Sequence, residues 1–503
     1  MKKPAADPVA FKHLQASREQ LSRQESMPYS EILRSVMDTK VFTCKAEDKV
    51  LDIVRAIAER GISSVMVIDG QGRLSGILTD KDVVRRIVAA GRTDLGQLPI
   101  AEVMSKNPIF LHPENTIYRA LSLLGKHKVK HLPLVENERL AGIVTMRQLL
   151  KLKYPEPMTL IEEINAAASS SQLAEVRGKL TGIAARQLAA GGRAHDIVTM
   201  LSLINQDIHA RALELVIAEL GPPPSPICLY VTGSHGRREN LLLPDQDHGL
   251  IIADQPEQPE IQYDHYFVEL TSRLADRLHL IGFPRCSGHI MAGNPLWRKS
   301  VSEWQAQIDY WFERQVRELG RFATVLFDAA PIWGDQALFG EVQEFAFRRL
   351  QQHHDVLRTM YEEAGKHTTP IGFMGRFITE KGGPHQGELN IKRSGLLFVV
   401  EGIRILALRH GIRETSTIRR AEKLVAGGHI HQDDGEYFIA AYHILLHFAL
   451  KTQLDKAAAG EEVDSFLNPR RLSARDKETL RHAYKAVTAL QNLVSASFGE
   501  LVL

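Results

Sequence analysis

The chain has 503 residues, 44% hydrophobic and 24% charged, which makes room for three or four domains of ordinary size and excludes wholesale disorder. Lys+Arg total 62 against 60 Asp+Glu, a net charge of +2, so there is no broad basic field for nucleic acid or an acidic membrane surface. Three widely spaced cysteines, Cys44, Cys228 and Cys286, exclude a disulfide scaffold and fit a reducing, cytoplasmic setting.

Residues 1–30 read as an N-terminal extension. They hold two early lysines but no apolar run of the kind a signal peptide needs. From Glu31 a repeat sets the organisation. GISSVMVIDGQGRLSGILTDKDVVRRI (Gly61–Ile87) returns as KVKHLPLVENERLAGIVTMRQLLKL (Lys128–Leu152), with one residue lost where DGQGR becomes ENER. Each copy predicts a short extended piece, a helix (Val50, Ile53, Val54, Ile57; Ile117, Ala120, Leu123, Leu124), two strands and a second helix. The copies are assigned to 31–92 and 93–155. This order, with G-I-x-T at the last strand-to-helix junction, resembles a tandem pair of cystathionine-β-synthase (CBS) domains.

Pro155 and Pro157 read as a boundary, and 156–221 as an Ala/Leu-rich helical region ended by Gly221-Pro222-Pro223-Pro224. Ile227–Thr232 and His248–Ala253 are apolar, β-branched runs that predict strands. A mixed helix–strand domain is expected over 222–340 and an all-helical domain over 341–503. Two long apolar stretches in the latter, Leu396–Leu408 and Tyr437–Leu450, are too short for a bilayer and are interrupted by Glu401, Arg404, His443 and His447. They predict buried helices and no membrane association.

Chemistry concentrates in LYVTGSHGRRENLLLPDQDHGLII, Leu229–Ile252. Asp245 and Asp247, two apart on an expected strand, project to one face. Paired carboxylates repel unless a cation lies between them, and hard oxygen ligands suit Mg²⁺ or Mn²⁺ with substrate phosphates. Gly233 admits a phosphate close to the backbone, Ser234 offers N–H and hydroxyl, and Arg237 offers a planar fork. Asp328, after an apolar run, is the candidate third acid of a metal-assisted phosphoryl-transfer site. The competing reading is a solvated strand edge with no metal.

G-S, a short loop and D-x-D resemble the DNA polymerase β nucleotidyltransferase superfamily. The longer string resembles the bacterial CBS-domain-containing nucleotidyltransferases, related to the uridylyltransferase of nitrogen regulation. The likeness extends through IGFPRCSGHIMAGNPLWRKSVSEW and ELNIKRSGLLFVVEGIRILALRHGI. It implies an α+β multidomain fold: a CBS pair, a polymerase-β-like mixed sheet with helices, and a helical C-terminal domain. It also implies that Gly233 and Ser234 face a nucleoside triphosphate, that Asp245, Asp247 and Asp328 bind metal, and that Lys392 and Arg393 lie toward the site, the alternative for the last two being an exposed cation pair at a helix start. Ala330 stands where relatives often have arginine.

In the repeat, Thr79 and Asp82 form T-x-x-D at a helix start, a place suited to phosphate. The CBS resemblance implies an adenosine nucleotide there, with Ile62 and Ser64 toward the base, and a weaker site at Thr145, where Gln148 replaces the Asp. A plain helix cap is the alternative. A homodimer through the CBS helices is expected, motivated by apolar Val83, Ile87 and Leu149. His353, His354, His429, His431, His443 and His447 read as solvated or core-rim side chains. The resulting reading is a Mg²⁺- or Mn²⁺-dependent nucleotidyltransferase with an unspecified acceptor, protein or small molecule, adjusted by adenosine nucleotide. Its alternative is a non-catalytic adenine-nucleotide sensor or scaffold with a degenerate transferase domain. The +2 charge and the lack of a basic–aromatic run argue against a nucleic-acid binder.

Overall fold

A computed structural model describes residues 32–153, 155–254, 260–314, 325–353, 355–364, 369–372 and 375–499. The extension 1–30 lies outside these residues. The chain divides into two compact units that meet in sequence at Thr159/Leu160, inside a helix, Pro155–Ala166. Pro155 and Pro157 start that helix instead of breaking the chain, because first-turn N–H groups have no intrahelical partner to lose.

In the first unit, helix Val50–Arg60 packs Val50 and Ile53 inward, with Val54 and Ile57 partly buried beside them. Thr43–Cys44 runs parallel to Ser64–Ile68, which pairs antiparallel with Leu74–Thr79. A fourth strand, Ser105–Lys106, pairs with Leu74–Thr79. The second copy has helix Ile117–His127 and the hairpin His131–Glu136/Arg139–Thr145. The two copies exchange core residues. Leu33 packs with Leu111, Ile117, Leu132 and Leu149 of the second, whereas Leu98, Ile100 and Val103 pack with Val50 and Val65 of the first. Backbone bonds Asp38 N to Ile143 O and Ile143 N to Asp38 O, both 2.9 Å, fasten the early segment to the second hairpin.

The second unit shares one continuous hydrophobic core from Leu160 to Phe498. Helices Ser170–Ala189 and Ala194–Leu220 precede a four-stranded mixed sheet. In spatial order its strands are Ala330–Gly334, Ile227–Val231, His248–Ile252 and Arg298–Ser300; the first two pairings are antiparallel and the last parallel. Both central strands are buried along their whole length, as their unbroken apolar runs require. Helices Glu260–Ile281, Val301–Glu313 and Gln336–Gln352 complete this domain's surroundings. The C-terminal part is helical, apart from a two-residue ladder of Leu389–Asn390 with Phe466–Leu467. Its longest members are Gln432–Ala459 and Ala474–Gly499. Among the described residues, no helix is long and apolar enough to cross a membrane.

Candidate nucleotide and metal sites

The buried strand Ile227–Val231 delivers the chain to Thr232, whose N–H donates to the Asp247 carbonyl at 3.0 Å. That bond pins the loop against the acidic segment. Gly233 then takes φ +61°, and a Cβ there would lie 3.4 Å from Asp247 Oδ2. A single turn, Gly233–Gly236, follows. Gly236 has no room for a side chain, since a Cβ would fall 1.9 Å from the Asp328 carbonyl oxygen. Arg238 also has positive φ, +61°, a conformation that costs a non-glycine residue energy and that the surrounding bonds must hold. One of them is Glu239 N–H to Ser234 O at 2.8 Å. Helix Ala194–Leu220 braces the loop: Gln206 Nε2 donates to His235 O at 2.8 Å, and Ser202 Oγ accepts from Asn240 N–H at 2.9 Å. Ser234 Oγ donates to Asn240 Oδ1 at 2.7 Å.

Asp245 and Asp247 lie immediately before strand His248–Ile252 rather than within it, and both are partly exposed. Burial first, and Asp245 second, push the Asp247 carboxyl up to about 6; the Cys286 thiol, Lys392 and Arg237 pull the other way. The Cys286 thiol donates to Asp247, and burial together with that carboxylate raises it to about 11. Asp247 Oδ1 is buried without a hydrogen-bond partner. Among the described residues, Asp245, Asp247 and Cys286 form the one group of three ligating side chains with donor atoms within 4.8 Å of one another. An orphaned carboxylate oxygen beside a second carboxylate and a soft donor fits a divalent cation. Ser234 and Arg237 line a pocket with Lys392, Leu396 and Tyr442. A π-turn, Lys392–Leu396, opens the helix that continues to Arg409 and sets Lys392 at this pocket. The loop, both acids and Lys392 are thus neighbours.

Asp328 is a correction. It is wholly buried, and its carboxylate is taken by three guanidiniums: Arg237 Nη1 at 2.6 Å, Arg404 Nη1 at 2.6 Å and Arg420 Nη1 at 2.7 Å. Burial alone would raise its pKa, but Arg404, Arg420 and Arg237 hold it well below the usual carboxylate range. Asp328 is also not within the ligating group of Asp245, Asp247 and Cys286; it ties the loop to helices Leu397–Arg409 and Thr417–Ala426. Arg237 accordingly spends Nη1 on Asp328 and Nε on Glu239 (2.8 Å), and the same residue lines the pocket. Glu239, in turn, accepts from Thr417 N–H at 2.8 Å and from the Tyr442 hydroxyl.

In the first unit, Thr79 and Asp82 form a reciprocal capping box: Asp82 N–H to Thr79 Oγ1 is 3.2 Å and Thr79 N–H to Asp82 Oδ2 is 3.1 Å. They also line a cleft of about 470 Å³ with Arg85, Lys128, Lys130 and His131, so cap and cleft wall coincide. The second copy caps its helix in the same way with Thr145 and Gln148. Ile62 packs on the first copy's core and Ser64 pairs with Thr79 in the ladder, and neither is among the residues that line this cleft; Thr145, of the second copy, pairs with His131. The apolar motive for dimerisation also changes. Ile87 and Leu149 are core residues and Val83 is partly buried, while Val84 (57%) and Val88 (69%) are the exposed members of that face. Val84 and Val88 each follow Val83 and Ile87 by one position, about 100° round the helix, in a segment wound as a π-turn.

Sequence reasoning missed Cys286, Arg404, Arg420 and the cationic rim of the cleft. Arg404 did leave a signal, a charge inside an apolar helix. It also missed three buried imidazoles in and beside the loop, His209, His235 and His248, with the first two rings 4.7 Å apart. Burial holds all three neutral, His235 near about 3 and His248 near about 4. His443 and His447 are half-buried, as expected of core-rim residues.

Comparison with known proteins finds three families along the chain. Residues 33–89 and 100–154 match the family described as CBS domain, residues 178–318 the one described as "Putative nucleotidyltransferase DUF294", and residues 354–498 "Putative nucleotidyltransferase substrate binding domain". The CBS domain-containing protein YhcV of Bacillus subtilis is 31% identical over 117 residues, 23% of this chain and 81% of its own. CBSCBSPB2 of Arabidopsis thaliana is 33% identical over 112 residues, and the chain spans only 21% of its length. Among solved structures, a "putative signal-transduction protein with CBS domains" from Burkholderia ambifaria is 26% identical, covering 22% of this chain and 82% of its own, with TM-score 0.21. An uncharacterized conserved protein from Pyrococcus horikoshii is 24% identical, covering 25% and 95%, with TM-score 0.24. With its CBS pair, transferase-type sheet and helical partner domain all matched in order, the chain belongs to the CBS-domain-containing family of DUF294 nucleotidyltransferase-type proteins.

Proposed function

We propose that the chain transfers a nucleoside monophosphate from a nucleoside triphosphate to an acceptor, with Asp245 and Asp247 holding a divalent cation. The observation that carries this reading is the neighbourhood of the two acids, the Gly233–Ser234 backbone and the cations Arg237 and Lys392. A bound divalent cation, Mg²⁺ or Mn²⁺, supplies charge neutralisation at the phosphoryl oxygens. Gly233 and Ser234 bring backbone N–H groups to the triphosphate, and Arg237 and Lys392 offset its remaining charge. The apolar wall that includes Leu396, Leu397 and Val400 limits water on that side. The test is divalent-ion-dependent pyrophosphate release from each triphosphate. Asp245→Asn should lower the rate at least ~100-fold, the scale of losing one electrostatic stabiliser.

A second reading is favoured by the Asp328 cluster. With the third acid enclosed by arginines, the domain would bind nucleotide without turning it over, as a sensor or scaffold. Triphosphate binding that persists with no pyrophosphate released would select it.

The CBS cleft fits a regulatory adenosine nucleotide. Lys81, Arg85, Arg86, Lys128 and Lys130 outnumber Asp80 and Asp82 around it, a balance that suits phosphate. Calorimetry with AMP, ADP and ATP tests this. Val84 and Val88 supply an apolar face for a homodimer, which light scattering at micromolar concentration checks.

A further inference from the structure

The donor set beside the loop is not the one a pure carboxylate site would have. The third acid is locked away with Arg237, Arg404 and Arg420, and the side chain that does stand within ligating reach of Asp245 and Asp247 is a thiol. Cys286 comes from a separate stretch of chain, the turn after helix Glu260–Ile281. Two backbone bonds hold that turn: Gln246 N–H, between the two acids, donates to Pro284 O at 2.9 Å, and His289 N–H donates to Cys286 O at 3.0 Å. Gln246 Nε2 adds bonds to Ala275 O and Phe283 O, both 3.0 Å. The thiol is therefore fastened to the acidic segment by the backbone itself. It sits against Asp247, whose Oδ1 has no hydrogen-bond partner although it is buried.

We propose that Cys286 is the third protein ligand of the cation site, completing an Asp245–Asp247–Cys286 set that takes a divalent transition ion such as Mn²⁺ or Zn²⁺ in preference to Mg²⁺. The inference rests on the metal reading above and deepens it by naming the ion class. Oxygen donors alone suit Mg²⁺, which dehydrates reluctantly and binds sulfur poorly. A thiolate among them shifts the preference to ions that accept soft donors. On binding, the thiol gives its proton to solvent and its sulfur replaces the hydrogen bond to Asp247 with a bond to the ion, so no oxidation is involved. In the ion-free protein the same S–H stays on Asp247 and keeps the carboxylate in place.

The experiment is titration of the full chain with Cd²⁺, followed by the ultraviolet thiolate-to-cadmium charge-transfer band, and competition by Mn²⁺ and Mg²⁺. The band should appear with wild type, be bleached by Mn²⁺ at far lower concentration than by Mg²⁺, and be absent in Cys286→Ser. Calorimetry should show Cd²⁺ affinity of Cys286→Ser reduced at least ~10-fold, the scale of losing a metal-site partner, with Mg²⁺ affinity little changed. A band retained in Cys286→Ser would come from Cys44 or Cys228 and would overturn the proposal. So would equal displacement by Mg²⁺ and Mn²⁺ in wild type, a readout that needs no folded variant. Binding of Cd²⁺ and Mn²⁺ that is lost in Asp245→Asn but indifferent to Cys286→Ser refutes the thiol while leaving the transferase reading standing. If wild type binds none of the three ions, both fail.

Discussion

Replacing Asp247 by asparagine should make the ion-free protein more stable at neutral pH. The carboxyl is pushed from its ordinary 3.8 up to about 6 by burial and by Asp245. An acid with a raised folded-state pKa contributes stability that is fully present below about pH 4 and is lost as pH rises through about 6. Roughly two pH units at ~1.4 kcal/mol each make a cost of about 3 kcal/mol above pH 7. Asparagine keeps the shape, still accepts from the Cys286 thiol and carries no charge, so it removes most of that cost. All four tryptophans, Trp297, Trp304, Trp311 and Trp333, lie in the transferase-type domain, and their fluorescence therefore reports the unfolding of that region. In EDTA at pH 7.5 the urea midpoint of Asp247→Asn should rise by about 1 M, and the gain should shrink to nothing near pH 4. Adding a divalent ion at ~1,000-fold excess over Kd should invert the order, because only wild type then gains about 4 kcal/mol. A variant less stable than wild type at every pH, or a gain independent of pH, would refute the repulsion argument.

Asp328→Asn should cost about 3–5 kcal/mol in the same fluorescence assay, since three buried guanidiniums lose their shared counter-charge. Because the folded pKa of Asp328 is depressed, its contribution is present above about pH 4 and falls away only as acid reaches that lowered value. Gly236→Ala should fail to give soluble, folded protein, because its Cβ would sit 1.9 Å from the Asp328 carbonyl oxygen; gel filtration decides it. Thr79→Ala should cost about 1 kcal/mol locally through loss of the capping box, seen as faster hydrogen exchange in the helix that begins at Asp80. The same change should weaken adenosine-nucleotide binding by calorimetry while leaving pyrophosphate release in the absence of that nucleotide unchanged.

The repeat, the strand–loop–strand segment and the helical C-terminal part were legible because each leaves a local mark. A copied string, a run of buried β-branched residues, or a G-S loop can be seen in a few consecutive positions. What escaped was set by distance in sequence. Arg404 and Arg420 reach Asp328 across 76 and 92 residues, and nothing near Asp328 announces that its partners are arginines. Asp328 therefore read as a free acid. Cys286 escaped for a related reason: a lone cysteine has no spacing pattern, and only the backbone bonds of Gln246 bring it beside the acids. Val83 against Val84 is a matter of one position: neighbouring residues turn to different faces, and only the packing of Ile87 shows which face is covered.

The exchange of core residues between the two CBS copies changes what a deletion can mean. A cut at residue 92 would look clean by sequence symmetry, yet it would strip Leu98, Ile100 and Val103 from beneath the first copy and the Ser105–Lys106 strand from its sheet edge. The second half would lose Leu33 and the Asp38–Ile143 clasp. Neither fragment is then a miniature of the whole. The pair should melt and refold as one cooperative body, and a ligand seated in the cleft, by gripping Thr79 on one side and His131 on the other, would tighten both copies at once.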